Sequence, residues 1–105
     1  MRAGRLDRRI SLSRMIRTDD SYGEAIPTWV DLATVWAEML PVRGAEWFGA
    51  RQTIAEVDTK FRIRYRVGIT PLDRVTLDGR YYDVQAVIEL GRREGLEIYA
   101  KARAE

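Results

Sequence analysis

Few residues of this chain could perform catalysis. The 105 residues include no His and no Cys, which removes the commonest general base, the commonest transition-metal ligands and the thiolate nucleophile. Asp19 with Asp20, and Glu56 with Asp58, are close enough in sequence to bind Mg²⁺ or exchange protons, but neighbouring acids in turns are usually solvated or capping groups. No phosphate-binding glycine loop occurs. We therefore expect no enzyme, cofactor or metal.

The most regular charge pattern is TKFRIRYRV, residues 59–67, in which cations alternate with apolar residues. Alternation of period two predicts a half-buried strand, because successive side chains leave a strand on opposite faces. The apolar face is predicted to join a core. The basic face can meet solvent, nucleic acid or acidic groups of a neighbouring subunit. Its cations are Lys60, Arg62, Arg64 and Arg66.

Charge is unevenly distributed along the chain, although the formal net charge is only +2. Residues 1–17 hold six Arg and one Asp, residues 18–58 hold eight acids and two bases, and residues 59–66 hold four bases. Such blocks suit a protein that meets copies of itself through unlike surfaces, in a head-to-tail contact that can close into a ring.

Short apolar alternations separated by turn signals place the chain in the all-β class. They predict a small antiparallel barrel or sandwich of about six strands, in a single domain spanning 1–105. No stretch approaches the roughly 20 apolar residues of a membrane span, and the basic N-terminus lacks the apolar segment of a secretory signal. The predicted strands lie within residues 8–16, 28–42, 59–67, 75–90 and 96–103, the fourth stretch being a hairpin that turns at Asp78-Gly79.

One short α-helix is predicted over residues 43–57, where apolar residues recur every three or four positions. Gly49 would weaken it by about 1 kcal/mol relative to Ala. Trp47 and Phe48 are adjacent and would point in different directions, so one can join the core while the other contacts a neighbouring subunit.

Five stretches resemble, in order and spacing, the phage head–tail joining proteins, which are the head-completion or stopper proteins of long-tailed phages and gene transfer agents. The stretches are MRAGRLDRRISL, DSYGEAIPTWVD, ATVWAEMLPVRGAEWFGA, FRIRYRVGI and DGRYYDVQAVIELGRREGLEI. Most of the matching positions are glycines or apolar residues, which are structural by their chemistry. The matching positions are Gly4, Leu6, Ile10, Tyr22, Gly23, Trp29, Trp36, Ala37, Pro41, Glu46, Phe61, Ile63, Tyr65 and Gly79.

The resemblance implies a small barrel, made in the bacterial cytoplasm, that forms a homo-oligomeric ring in the neck of the particle. Such a ring lies below the portal and adaptor and above a tail terminator or tail-tube protein. It keeps the packaged DNA in the head, lets it pass through the channel, and provides the surface on which the tail docks. Family members carry an insertion that reaches the channel. Its candidates are the loop 17–27, with Asp19, Asp20 and Tyr22, and the segment 43–57, with Glu46.

A second class of function is an OB-like module that binds single-stranded nucleic acid, with Tyr65 beside the basic strand. Alternation places Tyr65 opposite Arg64 and Arg66, which separates base stacking from phosphate contacts. We therefore favour contact of the basic row with acidic groups, from residues 18–58, of a neighbouring subunit or adaptor. Solvent ranks second and the DNA channel third.

Overall fold

The described part of the chain is built from β-strands. The computed structural model describes residues 6–42, 46–48, 52–54 and 57–103. Six strands close into an antiparallel barrel in the order β1-β2-β5-β8-β7-β6, and β3 and β4 form a separate two-stranded sheet. The predicted barrel of about six strands is confirmed. The strands are β1 (Arg8–Asp19), β2 (Ala25–Pro41), β3 (Glu46–Phe48), β4 (Gln52–Ile54), β5 (Thr59–Arg64), β6 (Asp73–Leu77), β7 (Arg80–Leu90) and β8 (Gly95–Ala102).

The barrel interior is filled by every second residue of its strands. Phe61 and Ile63 of β5 are buried there, as the alternation predicts, and the Phe61 ring meets Tyr82 edge-on with 5.1 Å between centroids. Strand β5 ends at Arg64, earlier than predicted, so Val67 lies in a loop and is 74% exposed. Strand β5 thus contributes Phe61 and Ile63 to the core, and Tyr65, just beyond its end, packs against the core from a half-buried position.

The turn between β6 and β7 is the predicted two-residue hairpin. Asp78 and Gly79 have φ angles of 50° and 80°, which are the positive values of a type I′ turn. Asp accepts this conformation better than most residues, and Gly accepts it without strain. The local sequence thus fixes the register of β6 on β7.

The predicted helix over residues 43–57 is wrong in the described residues, because Glu46–Phe48 and Gln52–Ile54 form the antiparallel pair β3–β4. Aromatic and β-branched residues favour an extended chain, and Gly49 disfavours a helix. The other residues of the segment lie outside the described part. At its two ends, Val42 and Val57 pack on Tyr99 of β8.

Strands β1 and β2 continue beyond the barrel as a two-stranded arm, defined here as residues 15–30. Strand β1 pairs with β2 along its length but with β6 only over Ser11–Arg14. Strand β2 pairs with β5 only over Ala37–Pro41. The predicted loop 17–27 is therefore mostly strand, and its turn is confined to residues 20–24. Polar residues are common there because the arm leaves the barrel, not because the strands stop.

Truncating the largest buried side chain should strongly destabilise the barrel. Phe61 is fully buried, so we expect Phe61→Ala to lower the free energy of unfolding by about 3–5 kcal/mol. Val67→Ala, at an exposed position, should change it by less than about 0.5 kcal/mol. Urea denaturation followed by tryptophan fluorescence measures both values. Similar losses in the two variants would contradict the assignment of the core.

Candidate functional site

The first two cations of the basic row, Lys60 and Arg62, form ion pairs within the subunit. Arg62 lies opposite Glu38 on β2 and Glu97 on β8. Its Nη2 atom is 2.7 Å from Glu97 Oε2, and its Nη1 atom is 3.6 Å from Glu38 Oε1. Lys60 Nζ lies 3.8 Å from Glu97 Oε2. These two cations are therefore already balanced before any partner binds.

Glu97 is the centre of this ion network. Burial alone raises its pKa, but hydrogen bonds from Arg62 and from the Tyr99 hydroxyl, with the nearby charges of Lys60 and Arg62, outweigh burial and hold the pKa below its ordinary value. The Tyr99 hydroxyl donates to Glu97 Oε1 at 3.0 Å. The hydrogen bond to Glu97 in turn raises the pKa of Arg62. The network is charged at neutral pH and joins β5 to β8.

The last two cations of the row, Arg64 and Arg66, are exposed and belong to a different surface. Arg64 and Arg66 line a cavity of about 260 Å³ together with Trp36 and Tyr65. The Arg9 guanidinium lies 5.5 Å from the Trp36 ring centroid, and that of Arg93 lies 5.9 Å from the Tyr65 centroid. We call this surface the basic–aromatic patch. It consists of Arg9, Trp36, Arg64, Tyr65, Arg66 and Arg93, and Leu6 and Val35 complete the cavity wall.

None of the four arginines of the patch forms an ion pair with a carboxylate in the described part of the chain. Two of these arginines line the cavity and the other two lie over its aromatic rings, and like charges so placed repel each other and attract an anionic group. The expectation that Tyr65 lies opposite Arg64 and Arg66 is confirmed, because Tyr65 is half-buried against the barrel core whereas Arg64 and Arg66 are exposed. The patch is thus an unneutralised cationic surface with aromatic walls.

The tip of the arm carries an ordered acidic turn. Asp20 Oδ1 accepts hydrogen bonds from the backbone N–H groups of Tyr22 and Glu24, both at 2.8 Å. Gly23 occupies the left-handed region with φ 80°. Asp20 therefore orders the turn, while Asp19 and Glu24 are exposed. Tyr22 is 90% exposed at the outermost point of the turn.

The faces of the arm are unusually apolar for a surface hairpin. Ile16, Ile26 and Val30 belong to one face of the ribbon, as the β1–β2 register shows, and each is exposed. Between Ile16 and Ile26, the Thr18 and Thr28 hydroxyls are 3.1 Å apart. Exposed apolar side chains therefore alternate with threonines on this face, and clusters of exposed apolar residues are common at contact surfaces.

Two contacts that sequence reasoning missed hold the base of the arm. Arg14 Nε donates to Asp73 Oδ1 at 2.7 Å, and Arg14 Nη2 donates to Asp73 Oδ2 and to the Gly68 carbonyl. The Arg74 guanidinium lies between the Trp29 and Tyr81 rings, 3.8 and 4.0 Å from their centroids. The partners are distant in sequence, and only the strand register brings them together.

The remaining predicted residues lie elsewhere. Glu46, Trp47 and Phe48 are on β3, each opposite a residue of β4, and β3 follows the end of β2 whereas the arm tip precedes its start. The structure therefore separates the two candidate loops, and their roles stay predictions. The described residues contain no group of three acids placed to hold a metal, and no helix among them is long and apolar enough to cross a membrane.

Comparisons with known proteins agree with this architecture. The family model of phage head completion proteins matches residues 1–103. The solution structure of protein SF1141 from Shigella flexneri 2a has a TM-score of 0.78 and 29% identity, covering 100% of this chain and 99% of that one. A chain in the virion of a native gene transfer agent particle has a TM-score of 0.64 and 28% identity, covering 94% and 96%. No curated protein matches the chain significantly.

The ion network makes a prediction about pH. The pKa of Glu97 is lower in the folded chain than its ordinary value of 4.5, so its charge stabilises the fold above that pH, and the contribution is lost as pH falls through the folded-state pKa. We expect Glu97→Gln to lower the free energy of unfolding at pH 7 by about 1–3 kcal/mol. The difference from wild type should shrink below about pH 4.

Urea denaturation at a series of pH values measures this difference. Glu89→Gln is the matched control, since Glu89 lies exposed on β7. Its substitution should leave both the free energy of unfolding and its pH dependence close to wild type. An identical pH dependence in the two variants would contradict the role assigned to Glu97.

Proposed function

The chain belongs to the phage head completion protein family, and from that premise we propose that it forms a ring in the neck of a phage or gene transfer agent particle. It is a structural component of the virion. The ring lies between the portal or adaptor and the tail, closes the DNA-filled head and provides the surface on which the tail docks. This role requires no catalysis.

The arm is the observation that carries the proposal. Trp29 of the arm packs on the barrel through Arg74, but along residues 15–19 and 25–30 the two strands pair only with each other, and several of their apolar residues are exposed. Unpaired edges and apolar faces are the features through which strands join other chains. A partner that covers the arm accounts for its length and composition.

Ring formation also requires two unlike surfaces on each subunit. The arm is one, and the basic–aromatic patch is the other. Arg64 and Arg66 are the members of the basic row that we assign to subunit or adaptor contacts, because Lys60 and Arg62 are paired internally. We propose that β3, with Glu46, Trp47 and Phe48, contacts the adaptor, the tail or the channel from the other end of β2.

The net charge is compatible with a conduit for DNA. Each cation that binds a phosphate strengthens the grip on the duplex, and many such contacts would slow ejection. A formal net charge of +2 over 105 residues is low for a protein whose task is to hold DNA.

One observation favours a second candidate function, the binding of single-stranded nucleic acid. Trp36 and Tyr65 share a surface with arginines that lack a carboxylate partner in the described residues. Such a surface can combine base stacking with phosphate contacts. We rank it below the neck protein because a closed six-stranded barrel with a long arm meets the needs of a ring.

Removing the gene from the genome of its particle tests the proposed function. We expect filled heads and free tails to accumulate unjoined, with infectious or transducing particles reduced by several orders of magnitude, and the heads to lose DNA. Electron microscopy and particle titres measure both effects. Supplying the chain in trans is the control and should restore joining. Normal joined particles without the chain would contradict the proposal.

Nucleic-acid binding by the isolated chain separates the two candidates. We expect a labelled 20-nucleotide DNA strand to bind with a Kd weaker than about 10 μM at 150 mM salt, since the net charge is low. Fluorescence anisotropy at 50 and 200 mM salt measures the affinity and its salt dependence. Tight, salt-sensitive binding that Arg64→Glu abolishes would favour the binding module.

A further inference from the structure

We propose that the arm tip of one subunit, residues 19–24, binds the basic–aromatic patch of the next subunit in the ring. This inference rests on the proposed function, because it names the contact that builds the ring. The occupant of the patch is therefore a second copy of this chain, and the contact is head-to-tail.

The two surfaces are complementary in charge. The tip carries Asp19, Asp20 and Glu24, and none of them forms an ion pair within the described residues. The four arginines of the patch likewise form no ion pair with a carboxylate within the described residues. Arginine binds carboxylates through paired N–H groups. Joining the surfaces brings the exposed acids Asp19 and Glu24, together with the half-buried Asp20, to a surface of four arginines.

The two surfaces also match in shape and polarity. Tyr22 is 90% exposed at the outermost point of the tip, and the cavity of about 260 Å³ in the patch has walls of Trp36, Tyr65 and Val35. Aromatic rings gain from edge-on or offset contact with one another. Because Asp20 already orders the turn, little conformational entropy is lost when Tyr22 enters the cavity.

The geometry excludes the same contact within one subunit. Trp36 and the start of β2 at Ala25 are on the same strand, and eleven residues at about 3.3 Å each separate them by roughly 30 Å or more. A rigid strand cannot fold its own tip onto the patch. A tip that binds the patch therefore binds that of another subunit, and this heterologous contact closes into a ring when the rotation allows.

Apolar walls distinguish this occupant from duplex DNA. Phosphates of a duplex are met by an open cationic surface, whereas the cavity of the patch is also lined by the apolar side chains of Leu6 and Val35. In an acidic turn with an exposed tyrosine, the ring can fill such a cavity while the carboxylates neutralise the arginines around it. The experiments must therefore distinguish binding of the arm tip by the patch from binding of DNA by the patch.

Cysteine crosslinking in assembled particles tests the contact directly, since the chain has no native Cys. Particles are assembled with Ser21→Cys/Arg64→Cys under reducing conditions, purified and then oxidised. Ser21 lies exposed in the turn and Arg64 lies in the patch. A head-to-tail contact yields a ladder of disulfide-linked oligomers larger than dimers on a denaturing gel.

The matched control is Ser21→Cys/Arg80→Cys, because Arg80 is an exposed arginine at the start of β7, beside the β6–β7 turn. It should give no ladder. A ring whose Ser21→Cys/Arg64→Cys chains give no ladder overturns this inference and leaves the neck function standing. Purified particles that lack the chain overturn both.

A charge exchange provides a second test that does not depend on disulfide geometry. We expect Asp19→Lys/Glu24→Lys and Arg64→Glu/Arg66→Glu each to reduce joined particles by at least about tenfold, because like charges then meet. The chain that carries all four changes should recover to within about threefold of wild type. Thermal melting verifies that each variant folds. Normal joining by Arg64→Glu/Arg66→Glu, with faster loss of DNA, would overturn the inference in favour of DNA contact.

Discussion

The pairing of β1 with β6 over Ser11–Arg14 closes the barrel between two strands that are distant in sequence. Since β1 pairs with β2 along its whole length, the hairpin beyond Arg14 pairs with no further strand and extends from the barrel as the arm. The last rung is secured by the ion pair between Arg14 and the buried Asp73. A neighbouring stack of Trp29, Arg74 and Tyr81 fixes the direction of the arm. Contacts of residues in the β1–β6 pairing, Arg14 and Arg74, therefore also position the arm on the barrel.

Charges on this small barrel serve two purposes that the sequence alone does not separate. Lys60 and Arg62 stabilise the fold through Glu97, because strand pairing places a carboxylate beside them. Arg64 and Arg66 come next along the chain, but β5 ends there and no described carboxylate faces them. The end of a strand therefore divides one alternating row into a structural half and a half that is free to meet a partner.

The sequence predicted the barrel because period-two alternation and the Asp78-Gly79 turn are local signals. It failed over residues 43–57, where aromatic and apolar residues three to four apart fit a helix as well as the β3–β4 hairpin. The ion-pair partners of Arg62 and Arg14 could not be predicted from the sequence either. Glu97 and Asp73 lie 35 and 59 residues away from them, and only the register of distant strands decides their pairing. Likewise, the sequence does not show that β5 ends at Arg64, and therefore does not show that Arg64 and Arg66 lack the carboxylate partners that Lys60 and Arg62 have. Resemblance to head–tail joining proteins, by contrast, was visible in ordered motifs and agrees with the family match over residues 1–103.

A density map of the assembled neck would show directly whether this chain forms the proposed ring. We expect a closed ring of the chain between the portal or adaptor and the tail, with each arm extending onto the neighbouring subunit. A neck that contains no copy of the chain, or copies whose arms contact nothing, would contradict it.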